Sequence, residues 1–249
     1  MTRGPLRVIV RGLTAGPRQL EADAAHYLAR VHRATPGQLF IAVDPDSGTE
    51  AHGVVEAVEG QRLTCRLEAP RVATDGGIDS EVELLLPLVK GDKVDRVINA
   101  ACQIGVDRIT VFDCSRAVVH IEVDRTDAKR ERWRRILAEA TRQCGRAKSP
   151  QIAGPVPWSS VLGLATAEGA LNLALDPRAA LPVSKLLEGA CPRVIRVLVG
   201  PEGGLSDQEH EACARAGFVA GRLGPHTLRT ETAAVVGLGV VVAYLNAAR

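Results

Sequence analysis

The sequence predicts an α/β protein with two domains, a small β-rich N-terminal domain and a larger domain built on a mainly parallel sheet. One observation is the length, because 249 residues, at roughly 150 per domain, suggest one or two domains. The other is a change of hydrophobic period, from short runs between turn residues to strands that alternate with helical patterns, which is typical of a parallel sheet. We place the domains at 1–72 and 81–249, with a linker at 73–80.

The N-terminal domain contains four short apolar or alternating runs that predict strands, at 6–10, 38–43, 53–58 and 63–67. Turn-forming Pro, Gly and Asp residues separate most of these runs. A helical pattern over 21–32 interrupts them. We expect the strands to form a small barrel-like module.

The C-terminal domain begins with a continuous apolar run, Val82 to Val89, that predicts a buried strand. Apolar residues then recur at helical spacing from Val94 to Ala101, and Gly105 is placed to end that helix. Further strands are predicted at 108–112, 171–175, 194–199 and 218–223, with helical patterns between them.

Composition and charge exclude several classes of protein. With 46% apolar and 24% charged residues and a net charge of +2, the chain is neither disordered nor a bulk polyanion binder. No two of the six cysteines are closer than 12 positions, so no zinc knuckle or compact disulfide framework is expected. The most apolar stretch, Ala233 to Leu245, is shorter than the about 20 residues that span a bilayer. We expect a soluble, cytoplasmic protein with reduced thiols, no membrane segment and no metal.

The segment from Lys129 to Lys148 predicts a basic helix. It has eight basic and two acidic residues, and apolar residues recur at helical spacing from Trp133 to Cys144. Most charge runs are solvated helix faces, and that interpretation stays open. A local excess of +6 in a chain whose total is +2 favours a surface for a polyanion such as RNA.

Two polar turns at the ends of predicted strands form the candidate site. Gly200-Pro201-Glu202-Gly203-Gly204 follows a buried strand and leads into a helix with a capping box, Ser206 and Glu209. The turn matches neither a dinucleotide fingerprint nor a P-loop, and Glu202 suits a cationic or hydroxyl-rich ligand better than phosphate. A simple strand-to-helix turn remains an alternative. The second turn, 223–232, follows the next strand, and two such loops together predict a ligand site.

Three motifs, in this order, resemble the ribosomal RNA small subunit methyltransferase E family. They are Gln143-Cys144-Gly145-Arg146, the glycine turn 200–206, and Leu223-Gly224-Pro225 with Leu228-Arg229-Thr230-Glu231-Thr232. Arg30-Val31-His32-Arg33 and Lys90-Gly91-Asp92-Lys93 are similar to two further segments of the family. Its members are SPOUT enzymes that methylate N3 of a decoding-region uridine in 16S ribosomal RNA.

The resemblance implies a PUA-like RNA-binding β-barrel followed by a SPOUT α/β domain with a deep trefoil knot. It implies a homodimer that uses S-adenosyl-L-methionine and acts on 16S ribosomal RNA or the small ribosomal subunit without a metal. It also implies that the apolar segment 233–245 is a helix rather than a strand.

The resemblance carries site residues over position by position. The cofactor pocket is expected to contain Leu175, Gly200, Glu202, Gly203, Leu223, Gly224 and Leu228. The groups expected at the reacting uracil are Gln143, Arg146, Arg229 and Glu231. Glu202 and Glu231 are the two candidate proton acceptors, and our hypothesis favours Glu231. The resemblance places Arg30 and Arg33 on the RNA-binding surface of the N-terminal domain. The positive charge of the basic helix adds Arg134, Arg135 and Arg142 to the residues expected to bind RNA. His226 and Arg142 depart from the family pattern, which usually has Arg and Glu at these positions.

Two other functions compete with this prediction. A non-catalytic RNA-binding protein of the same fold is disfavoured by the intact glycine turn and the run from Leu228 to Thr232. A SPOUT ribose 2′-O-methyltransferase is disfavoured by the N-terminal domain and the segment from Gln143 to Arg146.

Overall fold

The computed structural model of the chain describes residues 6–60, 62–72, 80–114, 126–165 and 169–247. The chain forms two compact units, one of residues 1–77 and 141–149 and one of residues 78–140 and 150–249. The first unit thus takes in a segment, 141–149, that the predicted boundaries assign to the second domain. Most of the predicted linker lies outside the described residues, and only Ser80 of it is described.

The first unit contains a six-stranded sheet in the order β1-β3-β4-β5-β2, with β6 paired to β4. Its strands are β1 (Arg7–Ile9), β2 (Gly16–Gln19), β3 (Leu39–Asp44), β4 (Thr49–Glu59), β5 (Arg62–Leu67) and β6 (Arg71–Val72). β1 and β3 are parallel, and the other pairs are antiparallel. The four predicted strands are confirmed. The sequence of β2, Gly-Pro-Arg-Gln, has no apolar alternation, which is why it was not predicted.

The predicted helix of the first unit is present, but only its first part is α-helical and the second part is a π-helix. α1 (Ala22–His26) continues directly into a π-helical turn, Tyr27–Val31. Leu28 is fully buried in this turn, and the exposed Arg33 just after it has a φ of 51°. Left-handed backbone is unfavourable for a residue with a Cβ, and both irregularities are common at functional sites. They coincide here with the arginines predicted to bind RNA.

The second unit contains a six-stranded sheet in the order β12-β10-β11-β7-β8-β9, and all its pairs are parallel. Its strands are β7 (Glu81–Pro87), β8 (Arg108–Asp113), β9 (Gln151–Pro157), β10 (Ala170–Leu175), β11 (Val194–Val199) and β12 (Phe218–Gly221). The α/β class and the parallel sheet predicted for this part of the chain are confirmed. β9, which contains two prolines, was not predicted.

Helices cover both faces of this sheet. They are α2 (Lys93–Ile104), α3 (Thr126–Cys144), α4 (Trp158–Leu164), α5 (Val183–Leu187), α6 (Asp207–Arg215) and α7 (Thr230–Ala247). Buried residues of α2, α5, α7 and the first part of α3 pack on one face, and those of α4 and α6 pack on the other. α2 ends at Gly105, whose φ of 118° requires glycine, as predicted.

The apolar segment 233–245 lies in a helix, α7, as the resemblance implies. Ala234, Leu238, Val241 and Leu245 are buried in the core against the sheet. Among the described residues α7 alone is long and apolar enough to span a bilayer, and core helices of soluble proteins share that signature.

A row of buried polar side chains crosses the second sheet. Glu83, Thr110, Asn172 and Arg196 are each the third residue of a strand, in β7, β8, β10 and β11 respectively. The Glu83 carboxylate accepts hydrogen bonds from Thr110 Oγ1 and Arg196 Nε, both at 2.9 Å. Arg196 also donates to Asn172 Oδ1 at 3.1 Å. This row therefore links four neighbouring strands near their amino ends.

Candidate functional site

A cavity of about 470 Å³ lies at the carboxyl ends of β10, β11 and β12. Residues that follow all three strands line it, which is the usual position of a ligand site on a parallel sheet. The lining includes the glycine turn after β11 and the second turn, which leads into α7. The lining residues are Leu175–Arg178, Val199–Leu205, His210, Gly221, Leu223, His226–Thr230 and Ala233.

The glycine turn connects β11 to α6 and is held by hydrogen bonds within the turn and at the start of α6. Gly204 has a φ of 67°, and its N–H donates to Pro201 O at 2.9 Å. The predicted capping box is confirmed, because Ser206 N donates to Glu209 Oε2 at 2.8 Å and Glu209 N donates to Ser206 Oγ at 3.2 Å. The start of α6 thereby fixes one wall of the cavity.

A hydrogen bond ties the two turns together. Thr230 is the first residue of α7, and its hydroxyl donates to the carbonyl of Gly200 at 3.0 Å. Thr230 is buried, and its hydroxyl joins the second turn to the glycine turn. The two predicted loops therefore form one site.

The carboxylate of Glu202 is paired with Lys93, the first residue of α2, at 2.8 Å. Partial burial alone would raise the pKa of Glu202, but the hydrogen bond and charge of Lys93, with a backbone hydrogen bond, lower it. The same hydrogen bond raises the pKa of Lys93, and the nearby carboxylates of Glu202 and Glu231 add to this. Glu202 is therefore an ionised side chain and a weak proton acceptor at neutral pH.

Sequence reasoning missed a second polar group at the cavity, formed by Asp176, Arg178 and His210. Arg178 donates to Asp176 Oδ1 from its backbone N–H at 2.9 Å and from Nε at 3.3 Å. His210, on α6, approaches Asp176 Oδ2 at 3.6 Å. The signal available in the sequence was the polar Asp-Pro-Arg segment directly after the predicted strand 171–175.

The structure brings most of the predicted cofactor and catalytic residues to this cavity, but not all of them. Those that line it are Leu175, Gly200, Glu202, Gly203, Leu223, Leu228 and Arg229. Gly224 and Glu231 are not among its lining residues. Glu231 Oε2 is buried and has no hydrogen-bond partner among the described residues. Gln143 and Arg146 belong to the first compact unit, whereas the cavity belongs to the second.

The residues predicted to bind RNA lie at exposed positions. Arg30, Arg33, Arg134, Arg135 and Arg142 are all exposed. The apolar stripe of α3 is buried at Trp133, Leu137 and Ala140, but its last predicted member, Cys144, is exposed and is the last residue of the helix. No cluster of three or more potential metal ligands occurs in the part of the chain that the structure describes.

Family models match both parts of the chain. The one described as an RNA methyltransferase domain matches residues 78–242, and the one described as an RNA methyltransferase PUA domain matches residues 20–68. The chain is 30% identical over 227 residues to the ribosomal RNA small subunit methyltransferase E of Mycobacterium bovis, covering 89% of this chain and 84% of that protein. The enzyme of the same name from Bacillus subtilis is 27% identical, with coverage of 89% and 88%.

Solved structures of similar proteins share the whole fold. A putative methyltransferase from Legionella pneumophila, in complex with bound S-adenosylmethionine, is 26% identical with a TM-score of 0.74 and covers 98% of both chains. The ribosomal RNA small subunit methyltransferase E of Neisseria gonorrhoeae is 23% identical, with a TM-score of 0.78 over 96% of this chain and 97% of that chain. The family models, the curated relatives and the shared fold all indicate the same family. The chain therefore belongs to the ribosomal RNA small subunit methyltransferase E family.

Proposed function

We propose that this protein methylates N3 of a uridine in the decoding region of 16S ribosomal RNA with S-adenosyl-L-methionine as methyl donor. The observation that carries the proposal is the cavity lined by the glycine turn and the second turn, because two of the three family motifs meet there. The relatives that are named as ribosomal RNA small subunit methyltransferase E support the reaction class.

The cavity fits the cofactor in size and in chemistry. Its volume of about 470 Å³ lies within the about 300–1,000 Å³ of typical small-molecule sites. Backbone groups of the glycine turn and apolar side chains such as Leu175 and Leu223 form much of its wall, which suits an adenosine. The carboxylates that line it, Asp176 and Glu202, are both paired with basic residues, so the cavity is not a strongly charged one.

The bound cofactor supplies a methyl group on a sulfonium, which is transferred by in-line displacement without a metal. The protein must therefore align the uracil ring and help N3 to lose its proton. Arg229 lines the cavity, which supports a role in stabilising the negative charge that develops on the ring. Glu231 remains our proton acceptor, because the pair with Lys93 lowers the pKa of Glu202 and makes that carboxylate a weak base. Glu231 Oε2, in contrast, is buried without a hydrogen-bond partner in the described part of the chain.

The RNA is recognised by exposed arginines rather than by aromatic stacking, because only 3% of the residues are aromatic. Arg30 and Arg33 would contact RNA from the first unit, and Arg134, Arg135 and Arg142 from α3. Gln143 and Arg146 would act at the substrate in the assembled enzyme. The target base must be exposed or flipped out before N3 can reach the methyl group.

The finer features of the fold belong to the same proposal. We infer that the first sheet closes into a PUA-like barrel and that the C-terminal chain forms the SPOUT trefoil knot. We also infer a cytoplasmic homodimer.

Methylation of ribosomal RNA from a strain that lacks the gene tests the proposal. Small subunits from that strain are incubated with the purified protein and S-adenosyl-L-methionine, and modified nucleosides are mapped by mass spectrometry. We expect one 3-methyluridine per 16S molecule. Methylation of a ribose, or of no nucleotide, would contradict the proposal.

One variant with a matched control tests the role assigned to Glu231. Glu231→Gln is expected to bind the cofactor normally in calorimetry and to lose at least about 100-fold in methyl transfer, the range of a general base. The control is Glu188→Gln, which makes the same change at an exposed residue of the second unit. Full activity of Glu231→Gln at saturating cofactor would show that another group accepts the proton.

A further inference from the structure

Asp176 is the first residue after β10, and its carboxylate lies at the wall of the cavity. Its backbone N–H donates to the carbonyl of Gly221, the last residue of β12, at 3.1 Å. This bond fixes the residue where the ends of two neighbouring strands meet. The side chain is 11% exposed, so the carboxylate is largely removed from bulk water.

The two carboxylate oxygens of Asp176 have different surroundings. Oδ1 accepts the backbone N–H of Arg178 at 2.9 Å and its Nε at 3.3 Å, which commits that oxygen to the turn. Oδ2 has longer contacts, 3.4 Å to Arg178 Nη2 and 3.6 Å to His210 Nδ1. Because normal hydrogen bonds of this kind are shorter, Oδ2 retains acceptor capacity for a ligand.

The charge of this cluster favours a hydroxyl over a cation as its ligand. Burial alone would raise the pKa of Asp176, but hydrogen bonds and charge from Arg178, with the charge of His210, lower it, so the group is ionised at neutral pH. Arg178 already balances that charge. A cationic ligand group would gain little here, whereas a hydroxyl donates to the anionic oxygen without adding charge.

The position of Asp176 relative to the glycine turn points to one hydroxyl-bearing group. β10 is hydrogen-bonded to β11, whose end carries the glycine turn. In doubly wound nucleotide-binding sheets, an acidic residue from an adjoining part of the sheet accepts a ribose hydroxyl while the glycine turn approaches the rest of the ligand. The sulfonium cofactor contains a ribose with two free hydroxyls.

We propose that Asp176 Oδ2 accepts a hydrogen bond from a ribose hydroxyl of the bound cofactor. The assignment rests on the proposed use of this cavity by S-adenosyl-L-methionine. It makes Asp176 a cofactor-binding residue that recognises the sugar, and it assigns Arg178 the task of holding Oδ1 so that Oδ2 remains open.

The test is isothermal titration calorimetry of the full-length protein with S-adenosylhomocysteine and with its 2′-deoxy and 3′-deoxy analogues. The variant is Asp176→Asn, because its amide oxygen can still accept the Arg178 N–H and keep the turn. In the wild type, removal of the contacted hydroxyl is expected to weaken binding at least about tenfold, as for a hydrogen bond to a charged group. In Asp176→Asn, removal of the same hydroxyl should weaken binding less than about threefold, because the two changes remove one interaction.

The control variant is Glu211→Gln, which makes the same type of change on an exposed turn of α6 outside the cavity. It should show the full hydroxyl effect of the wild type. If each deoxy analogue loses as much affinity in Asp176→Asn as in the wild type, the assignment of Asp176 is wrong, and the proposed function still stands. Failure of the wild type to bind S-adenosylhomocysteine at all would overturn the proposed function, and the assignment with it.

Discussion

Replacement of Glu83 by glutamine is expected to destabilise the second unit strongly, although the two side chains have almost the same shape. The Glu83 carboxylate is 2% exposed and its partner Arg196 is 9% exposed, with 2.9 Å between them. Asn172 and Thr110 complete the row without adding charge. Glutamine would therefore leave the guanidinium charge buried and uncompensated, which costs about 3–5 kcal/mol.

Glu81→Gln is a matched control, because it removes an ion pair of the same length from the same strand. Glu81 lies two residues before Glu83 and pairs with Arg108 at 2.9 Å, but these side chains are 39% and 42% exposed. Solvent screens such a pair, so its loss is expected to cost about 0–1 kcal/mol. The two variants differ chiefly in the burial of the pair they break.

Urea denaturation followed by tryptophan fluorescence measures the difference, since Trp133 and Trp158, the two tryptophans of the chain, both belong to the second unit. The double variant Glu83→Leu with Arg196→Met should regain at least half of the lost stability, because it removes both charges together. Equal destabilisation by Glu83→Gln and Glu81→Gln, to within about 0.5 kcal/mol, would refute the reasoning.

Three further predictions follow from other parts of the structure. Ser206→Ala should lower the free energy of unfolding of the second unit by about 1 kcal/mol, the usual cost of losing an N-cap, and an unchanged urea midpoint would contradict the capping role. Glu202→Gln should unfold close to the wild type at neutral pH, because the pair with Lys93 is partly exposed. Since the pKa of Glu202 is lowered, any advantage of the wild type is present above the ordinary glutamate pKa and disappears as the pH falls through the lowered value, which urea titrations over a pH series would detect. Arg134→Gln should reduce the slope of log affinity for 16S RNA against log salt by about 1, whereas an unchanged slope would exclude a phosphate contact.

The sequence was sufficient for those elements whose local pattern agrees with their tertiary environment. β11 is a continuous apolar run in a sheet covered on both faces, and its predicted bounds, 194–199, match the observed ones. The capping box of α6 depends only on residues three positions apart, so it too was predictable. β2 was missed because backbone pairing with β5, and not its own composition, makes Gly16–Gln19 a strand.

In the candidate site, too, the features with a local sequence pattern were predicted and those that depend on the fold were not. The glycine turn and the second turn were recognised as motifs, and the structure places both at one cavity. The pairing of Lys93 with Glu202 was not predicted, because 109 residues separate the two in sequence and only the fold brings them to 2.8 Å. Asp176 was missed for a related reason. One carboxylate after a strand has no distinctive spacing, and its meaning depends on Arg178, His210 and the neighbouring strand.

The discontinuous first unit limits how this protein can be divided. Ala147, from the segment 141–149, is buried in a small apolar cluster with Ile41 and Val43 of β3. Cutting the chain within 73–80 would leave Ile41 and Val43 on one fragment and Ala147 on the other. All three side chains would then lose their packing partners and become exposed. The N-terminal residues therefore cannot be transferred to another protein as one continuous segment. A chimera or truncated form that is meant to contain this unit must also include residues 141–149.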